Sequence, residues 1–252
     1  MKVKNSKVES YINFGVKLRI TKGSPMFNKD RFRRKLLKYT RKAFFKLPDM
    51  ENPKILDLGC GTGIPTLELA RISEGEVTAL DNDQKALNEL NQKISQLKID
   101  KRVKTVKGSL FKLNFPKESF DIIWAEGSIY AVGFERGLRD WRSLIKDQGF
   151  LVVHDDYQDH VHKLQLIRKC GYRLLDSFRI SPEIWWSEYF QPMEKQVQEL
   201  QSKDITDPEL QKALKKEKDE INWFKAHKSS SVFYVMQKIS SDSTFESSKT
   251  GN

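Results

Sequence analysis

Short apolar runs recur along this chain, and stretches with helical spacing separate most of them. Runs of strand length lie at 55–58, 76–81, 103–107, 120–125, 149–154, 172–178 and 231–237. Between two of these runs, Leu87, Leu90, Ile94 and Leu97 recur at the three- and four-residue spacing of one helix face. This alternation of strands and helices predicts an α/β fold with a doubly wound, mainly parallel sheet.

Residues 181–228 interrupt the alternation with two helical stripes. The stripes are Tyr189, Met193, Val197 and Leu200, then Leu210, Leu214, Ile221 and Phe224. Ligands of such folds bind beyond the carboxyl ends of the strands, so we expect this insert to roof the pocket. The main domain should therefore span 49–239, followed by a Ser-rich, disordered tail at 240–252.

The segment 1–48 is expected to form a basic helical extension, with short helical pieces over 1–27. Within it, residues 28–48 predict an amphipathic helix that Asn28 or Asp30 caps and Pro48 ends. Its apolar line is Phe32, Leu36, Tyr39, Ala43 and Leu47. The helix could be a lid over a ligand, a nucleic-acid handle or a surface for anionic lipid. We favour the lid.

Charge is unevenly distributed along the chain, which has a net charge of +11. Residues 1–53 hold 15 Lys+Arg against 4 Asp+Glu, so the remaining residues balance with 30 of each sign. Because the chain after residue 53 has no excess of positive charge, its composition does not favour nucleic acid as the partner. Two cysteines and no long apolar run indicate a reduced, cytoplasmic protein without a disulfide framework, signal peptide or membrane span.

A glycine cluster follows the first predicted strand and carries the most specific signal for a ligand. The pattern is Asp57-x-Gly59-x-Gly61-x-Gly63, with Ile64 where a dinucleotide fingerprint has its third glycine. Asp81 ends the second strand, near the offset at which an acid meets ribose hydroxyls. A dehydrogenase that binds NAD is therefore the weaker interpretation, and a turn without a ligand is the plainest alternative.

The acidic-x-Gly-x-Gly-x-Gly pattern resembles motif I of class I S-adenosylmethionine-dependent methyltransferases. The run 120–156 resembles their later motifs, and the whole is similar to the ubiquinone/menaquinone-methyltransferase-like small-molecule group. The resemblance covers roughly residues 50–240. It implies a seven-stranded Rossmann-like sheet whose last strand enters antiparallel beside the sixth, and S-adenosyl-L-methionine as the cofactor.

The resemblance also implies a set of cofactor contacts from the strand ends. We expect them from Asp57, Gly59, Cys60, Gly61, Gly63, Asp81, Asn82, Ser109, Leu110 and Glu126. Ser109 stands where the family often has an acid for the adenine amino group. Backbone or the Ser109 hydroxyl would then make that contact.

Glu126 and His154 are the catalytic candidates, because each ends a predicted strand. Glu126 could bind the methionine ammonium of the cofactor or act as a base. His154 precedes Asp155 and Asp156, a group that could act as a base or hold a metal. Magnesium-dependent catechol-type enzymes use acids at such positions, but the asparagine expected beside the second acid is absent, so no metal is expected.

Aromatic residues are dense around the predicted pocket, and some must be core. Tyr130, Trp185, Trp186 and Tyr189 are the substrate candidates. Neighbours on a helix do not share one face, so at least one of Trp185 and Trp186 should face the cavity. Aromatic walls suit an apolar or cationic small acceptor.

The sequence thus predicts methyl transfer to a small-molecule acceptor, by a monomer or homodimer. One alternative is a lipid or quinone methyltransferase that docks on an anionic membrane through the basic helix. The other is a non-catalytic nucleic-acid-binding or regulatory domain that keeps the fold.

Overall fold

A computed structural model describes residues 27–202 and 206–240 of the chain. One seven-stranded sheet forms its centre. The strands are β1 (Lys54–Leu58), β2 (Glu76–Asp81), β3 (Val103–Lys107), β4 (Phe120–Glu126), β5 (Ile145–Asp156), β6 (Tyr172–Ile180) and β7 (Ser231–Lys238). The main helices are α1 (Asp30–Phe44), α2 (Ile64–Ser73), α3 (Gln84–Leu97), α4 (Phe134–Arg142), α5 (His160–Lys169), α6 (Pro182–Trp185), α7 (Gln191–Gln201) and α8 (Pro208–His227).

The strand order is β3-β2-β1-β4-β5-β7-β6, and β7 pairs antiparallel with both of its neighbours. The predicted fold class is therefore confirmed. Chain order reverses between β1 and β4, which pair in parallel. A crevice opens at such a reversal, so the carboxyl ends of β1, β4 and β5 are where this fold binds a ligand.

Local signals in the sequence explain most of the element boundaries. Asp83 caps α3, since its carboxylate accepts from the backbone N–H groups of Lys85 and Ala86. Three of the four predicted apolar positions of α3 are buried, and Leu97 is half-buried. The strands β2 and β3 have the predicted bounds.

The strand β5 begins earlier than the sequence suggests. A strand was expected only from 149, but Ile145 already pairs with Phe120, so the turn residues 146–149 lie within the strand. The register then shifts, and Phe150 pairs with Ile122, so the turn residues form an irregularity inside the strand. The preceding helix α4 ends at Arg142.

The helix α1 packs against the helical insert at one end and against the core of the sheet at the other. At one end Phe32 packs with Phe27 and Phe190 in the cluster under the insert. At the other end Ala43 and Leu47 join the core against the sheet. Of the two candidate caps, Asn28 accepts from the Asp30 N–H at 2.9 Å, whereas the Asp30 carboxylate contacts other residues.

The insert 181–228 is helical, with a π-turn at Trp186–Phe190 between α6 and α7. Both predicted stripes are buried, and they form one cluster with the first half of α1. Lys29 anchors this cluster through ion pairs to Glu217 at 2.8 Å and Glu220 at 2.5 Å. The expectations for 1–26, and for all but residue 240 of the tail, lie outside the described residues.

No helix within 27–202 and 206–240 combines the length and the apolar character that crossing a bilayer requires.

Candidate functional site

The glycine loop after β1 bends sharply at three glycines. Gly59, Gly61 and Gly63 have φ of +74°, +53° and +81°, a region that residues with a Cβ rarely adopt. A Cβ on Gly59 would lie 2.4 Å from the Ser128 Cβ, and one on Gly63 2.2 Å from the Leu90 Cδ1. At Gly61 a Cβ would meet nothing within 4 Å. Gly59 and Gly63 are therefore required by packing, whereas Gly61 faces open space.

The carboxylate of Asp81 is held beside this loop. One oxygen accepts from the Gly61 N–H at 2.7 Å, and the other accepts from the Asp83 N–H at 2.9 Å. The acid is half-buried at the end of β2. It therefore stands next to the open face of Gly61, in the position expected of a ribose-binding acid.

Asp57 lies under the loop and is only 2% exposed. Burial raises the pKa of its carboxyl to about 7. The hydrogen bond from the Thr66 hydroxyl at 2.6 Å acts in the opposite direction and lowers the pKa. Asp81 adds a smaller like-charge effect in the same direction. A buried acid that is close to half-ionised at neutral pH favours a bound cation.

Glu126 ends β4 and is the second acid of the site. Its carboxylate accepts from the Thr40 hydroxyl, at 3.1 and 3.0 Å to its two oxygens, and from the Trp124 indole N–H at 3.1 Å. Burial raises its pKa to about 7, and the charge of Asp57 adds to that rise. The two acids therefore act on one another across the same space.

A cavity of about 500 Å³ opens at these strand ends. Its lining includes the glycine loop with Asp57 and Glu126, residues of α1 and residues of the insert. The insert contributes Trp185, Tyr189, Phe190, Glu220, Trp223 and Phe224. Pockets of this size usually hold a small molecule between apolar walls and a few polar groups.

The structure brings most of the predicted site residues to this cavity. Those on its wall are Asp57, Gly59, Cys60, Gly61, Glu126, Tyr130, His154, Trp185 and Tyr189. Glu126 and His154 are register partners on adjacent strands, which explains why they meet. Tyr130 lies at the rim, since 71% of its surface is exposed.

The other predicted residues do not line the cavity. Gly63, Asp81, Asn82, Ser109, Leu110 and Trp186 lie outside its wall. The exposed Ser109 uses its hydroxyl to accept from the Phe111 N–H at 3.3 Å. Of the paired tryptophans, Trp185 faces the cavity, whereas Trp186 lies under the ammonium of Lys225.

Asp155 and His160, which follow His154 in the chain, are engaged with other groups. Asp155 forms an ion pair with the buried Lys163 at 2.7 Å. The His160 ring bonds the Tyr234 hydroxyl at 2.8 Å. Within 27–202 and 206–240, no group of three or more His, Cys, Asp and Glu is arranged to hold a metal ion.

Sequence reasoning missed three polar contacts of the site. Thr40, Thr66 and Ser231 each bond a predicted site residue: Glu126, Asp57 and His154 respectively. Thr40 occupies a buried position on α1, at 0% exposure, outside the apolar line that the sequence analysis followed. In the sequence, Thr40 could have been noticed as a polar residue beside the apolar positions of the predicted helix.

The residues present fit a sulfonium amino acid with an adenosyl group. Asp57 and Glu126 offer carboxylates to an ammonium, and Asp81 offers one to ribose hydroxyls. Gly61 leaves room for a ligand to approach the backbone. The ammonium of Lys93 donates to the Thr62 carbonyl of this loop. The same ammonium forms an ion pair with Asp30 at 2.6 Å.

Comparisons with known proteins agree with this fit. Residues 55–149 match the sequence profile of a family described as a methyltransferase domain. A sterol 24-C-methyltransferase of Debaryomyces hansenii is 27% identical over 133 residues, which cover 52% of this chain and 35% of that protein. The chain thus spans about a third of the length of this curated relative.

Solved structures share the fold. The [4+2]-cyclase SpnF superposes with a TM-score of 0.67 at 18% identity, covering 80% of each chain. A phosphoethanolamine N-methyltransferase 2 of Haemonchus contortus, solved in complex with S-adenosyl-L-methionine, has a TM-score of 0.63 at 13% identity. That match covers 81% of this chain and 53% of the other. One of the two is a cyclase, so the shared fold does not by itself define a reaction.

Proposed function

We propose that this chain, whose residues 55–149 match the profile of a methyltransferase domain, is a class I S-adenosylmethionine-dependent enzyme that transfers a methyl group to a small, largely apolar acceptor. One observation carries the proposal. The acidic glycine loop and aromatic residues of the insert line the same cavity. Donor and acceptor can therefore meet inside it without leaving the protein.

The cofactor, when bound, supplies a methyl group already activated by the positive sulfur. Asp57 would accept hydrogen bonds from its ammonium, Asp81 would accept from its ribose hydroxyls, and Glu126 would either share the ammonium or act as a base. The enzyme's remaining task is to align the acceptor for in-line displacement and to exclude water. Trp185, Tyr189 and Phe190 line the cavity on the insert and would serve both purposes.

Glu126 is the better candidate for a base in this site. Its pKa of about 7 suits proton transfer near neutral pH, and it lies on the cavity wall. An acceptor whose nucleophile is already a neutral amine or a thiolate would not require this role.

We further propose that α1 is a lid instead of a docking surface. Three of its seven cations, all in its second half, contact the body of the protein. Lys38 pairs with Glu188 at 2.6 Å, Arg41 pairs with Glu68 at 2.5 Å, and the Lys42 ammonium lies 4.1 Å from the centre of the Phe178 ring. These contacts hold the second half of α1 against the body of the protein, which supports a lid rather than a docking surface.

The relatives' sterol substrate supports an apolar acceptor and supplies the first compound to test. Purified protein would be incubated with methyl-labelled S-adenosylmethionine and lanosterol, a sterol with a side-chain double bond. Ethanolamine, a small polar amine, is the matched comparison. We expect label in the sterol and none in the amine. Label in ethanolamine alone would contradict the apolar acceptor.

A further inference from the structure

His154 occupies a flat slot between two aromatic rings. The Phe233 ring is stacked on it with centroids 4.2 Å apart and planes 10° apart. Trp185 lies 6.0 Å away with planes 11° apart. The ring is 9% exposed and belongs to the cavity wall next to Glu126. Its orientation is therefore set by packing from β7 and from the insert.

The Ser231 hydroxyl connects the two rings. It lies 2.8 Å from the His154 Nε2 and 2.8 Å from the Trp185 Nε1. An indole N–H can only donate, so Ser231 accepts from Trp185. The hydroxyl proton of Ser231 is then free to be donated, and among the described residues the His154 Nε2 is the partner within reach.

If Ser231 donates this proton to His154, the bond sets the tautomer of the imidazole. A ring whose Nε2 accepts a hydrogen bond carries its proton on Nδ1. No described residue bonds to that Nδ1, and it is not among the enclosed side-chain atoms that lack a partner within 27–202 and 206–240. The Nδ1–H is therefore accessible from the cavity.

We propose that His154 donates its Nδ1–H to an oxygen atom of the methyl acceptor, and that Ser231 and Trp185 are positioning residues that fix this tautomer. The acceptor would then be an apolar molecule with a hydroxyl or carbonyl oxygen at its buried end. This inference rests on the proposed function and identifies a polar feature of its substrate.

The environment of the ring supports donation over base catalysis. Burial lowers the pKa of His154 to about 3, so the imidazole is neutral at physiological pH. Neutral imidazole with so low a pKa is a weak proton acceptor, but it remains a good hydrogen-bond donor. Glu126, its neighbour across the strands, then keeps the role of base.

The tautomer can be measured without cofactor or acceptor. Protein with ¹⁵N-labelled histidine would be studied by long-range proton–nitrogen NMR at pH 7, and His154→Gln would assign the signal. We expect the Nδ1–H form in the wild type and in Ser231→Thr, and a mixture of forms in Ser231→Ala. Ser187→Ala, which removes an exposed hydroxyl of the insert, should change nothing. An Nε2–H form in the wild type, or no change in Ser231→Ala, would overturn the positioning role.

Donation to an oxygen is tested with a matched pair of probes in protein saturated with S-adenosylhomocysteine. Cyclohexanone should shift the Nδ1–H proton and should bind roughly three- to tenfold more weakly to Ser231→Ala than to the wild type. Methylenecyclohexane, which lacks the oxygen, should bind both proteins equally. Equal loss for both probes, or no shift of the Nδ1–H with cyclohexanone, would overturn the donor role. Failure of S-adenosylhomocysteine to bind would instead count against the proposed function.

Discussion

The Thr40 hydroxyl lies 3.1 and 3.0 Å from the two carboxylate oxygens of Glu126, although 86 residues separate them in the chain. Thr40 is on α1, and Glu126 ends a central strand of the sheet. The contact therefore joins the predicted lid to the predicted base. A hydrogen bond to a charged carboxylate is stronger than one to a neutral carboxyl group.

Removing this contact should destabilise the protein in a pH-dependent way. Thr40→Val keeps the shape of the side chain and deletes the donor, so we expect a loss of about 1–3 kcal/mol at pH 8. Below pH 6 Glu126 is mostly protonated and the loss should be smaller. Urea unfolding at both pH values measures it. Thr40→Ser, which keeps the hydroxyl, is the control, and an equal loss at both pH values would contradict the link to Glu126.

Glu126 itself should limit stability at high pH when no ligand is bound. Burial raises its pKa from 4.5 to about 7, so it favours the folded state while protonated. That contribution is present below pH 4.5 and is lost as the pH rises through 7. Glu126→Gln should therefore melt at a higher temperature than the wild type at pH 8 and at nearly the same temperature at pH 4.5. Glu89→Gln, at an exposed position of α3, should match the wild type throughout.

The glycines of the loop should separate folding from binding. Gly61→Ala meets no neighbour within 4 Å, so its cost to folding is limited to the strain of φ +53°, about 1 kcal/mol. It should nevertheless weaken S-adenosylhomocysteine binding at least tenfold, because the new methyl group occupies the space of the ligand. Gly59→Ala should lose more stability, since its Cβ would clash with Ser128. Calorimetry and thermal melting of the two variants test this, and full affinity in Gly61→Ala would contradict the site.

Asp81 is expected to bind the ribose of the cofactor. Asp81→Ala should weaken S-adenosylhomocysteine binding by about 1–3 kcal/mol, because the ribose hydroxyls and the Gly61 N–H lose their acceptor. Isothermal titration calorimetry gives the difference directly. Asp100→Ala, an exposed acid beyond α3, is the control. Unchanged affinity in Asp81→Ala would remove this residue from the site.

The parts of the site that depend on local sequence could be predicted. The glycine loop follows from the spacing of Asp57, Gly59 and Gly61, and the mainly parallel sheet follows from the alternation of strands and helices. The antiparallel last strand was implied by the family resemblance alone. The insert could be predicted to be helical because its buried stripes repeat every three or four residues.

Contacts between distant residues could not be predicted in the same way. Ser231 and His154 are 77 residues apart, and they meet because β7 enters the sheet next to β5. The outward position of Ser109 likewise depends on a turn closed by its bridge to Lys112, which no hydrophobic pattern marks. Such contacts arise from packing, not from local propensity.

The central claim is that the acidic glycine loop binds S-adenosylmethionine, and a thermal-shift series tests it most directly. The protein would be melted alone and with S-adenosylmethionine, S-adenosylhomocysteine or NAD. A ligand that binds only the folded state raises the melting temperature by mass action. We predict a rise with both adenosyl compounds and none with NAD. A rise with NAD alone would contradict the account, and so would the absence of a rise with every compound.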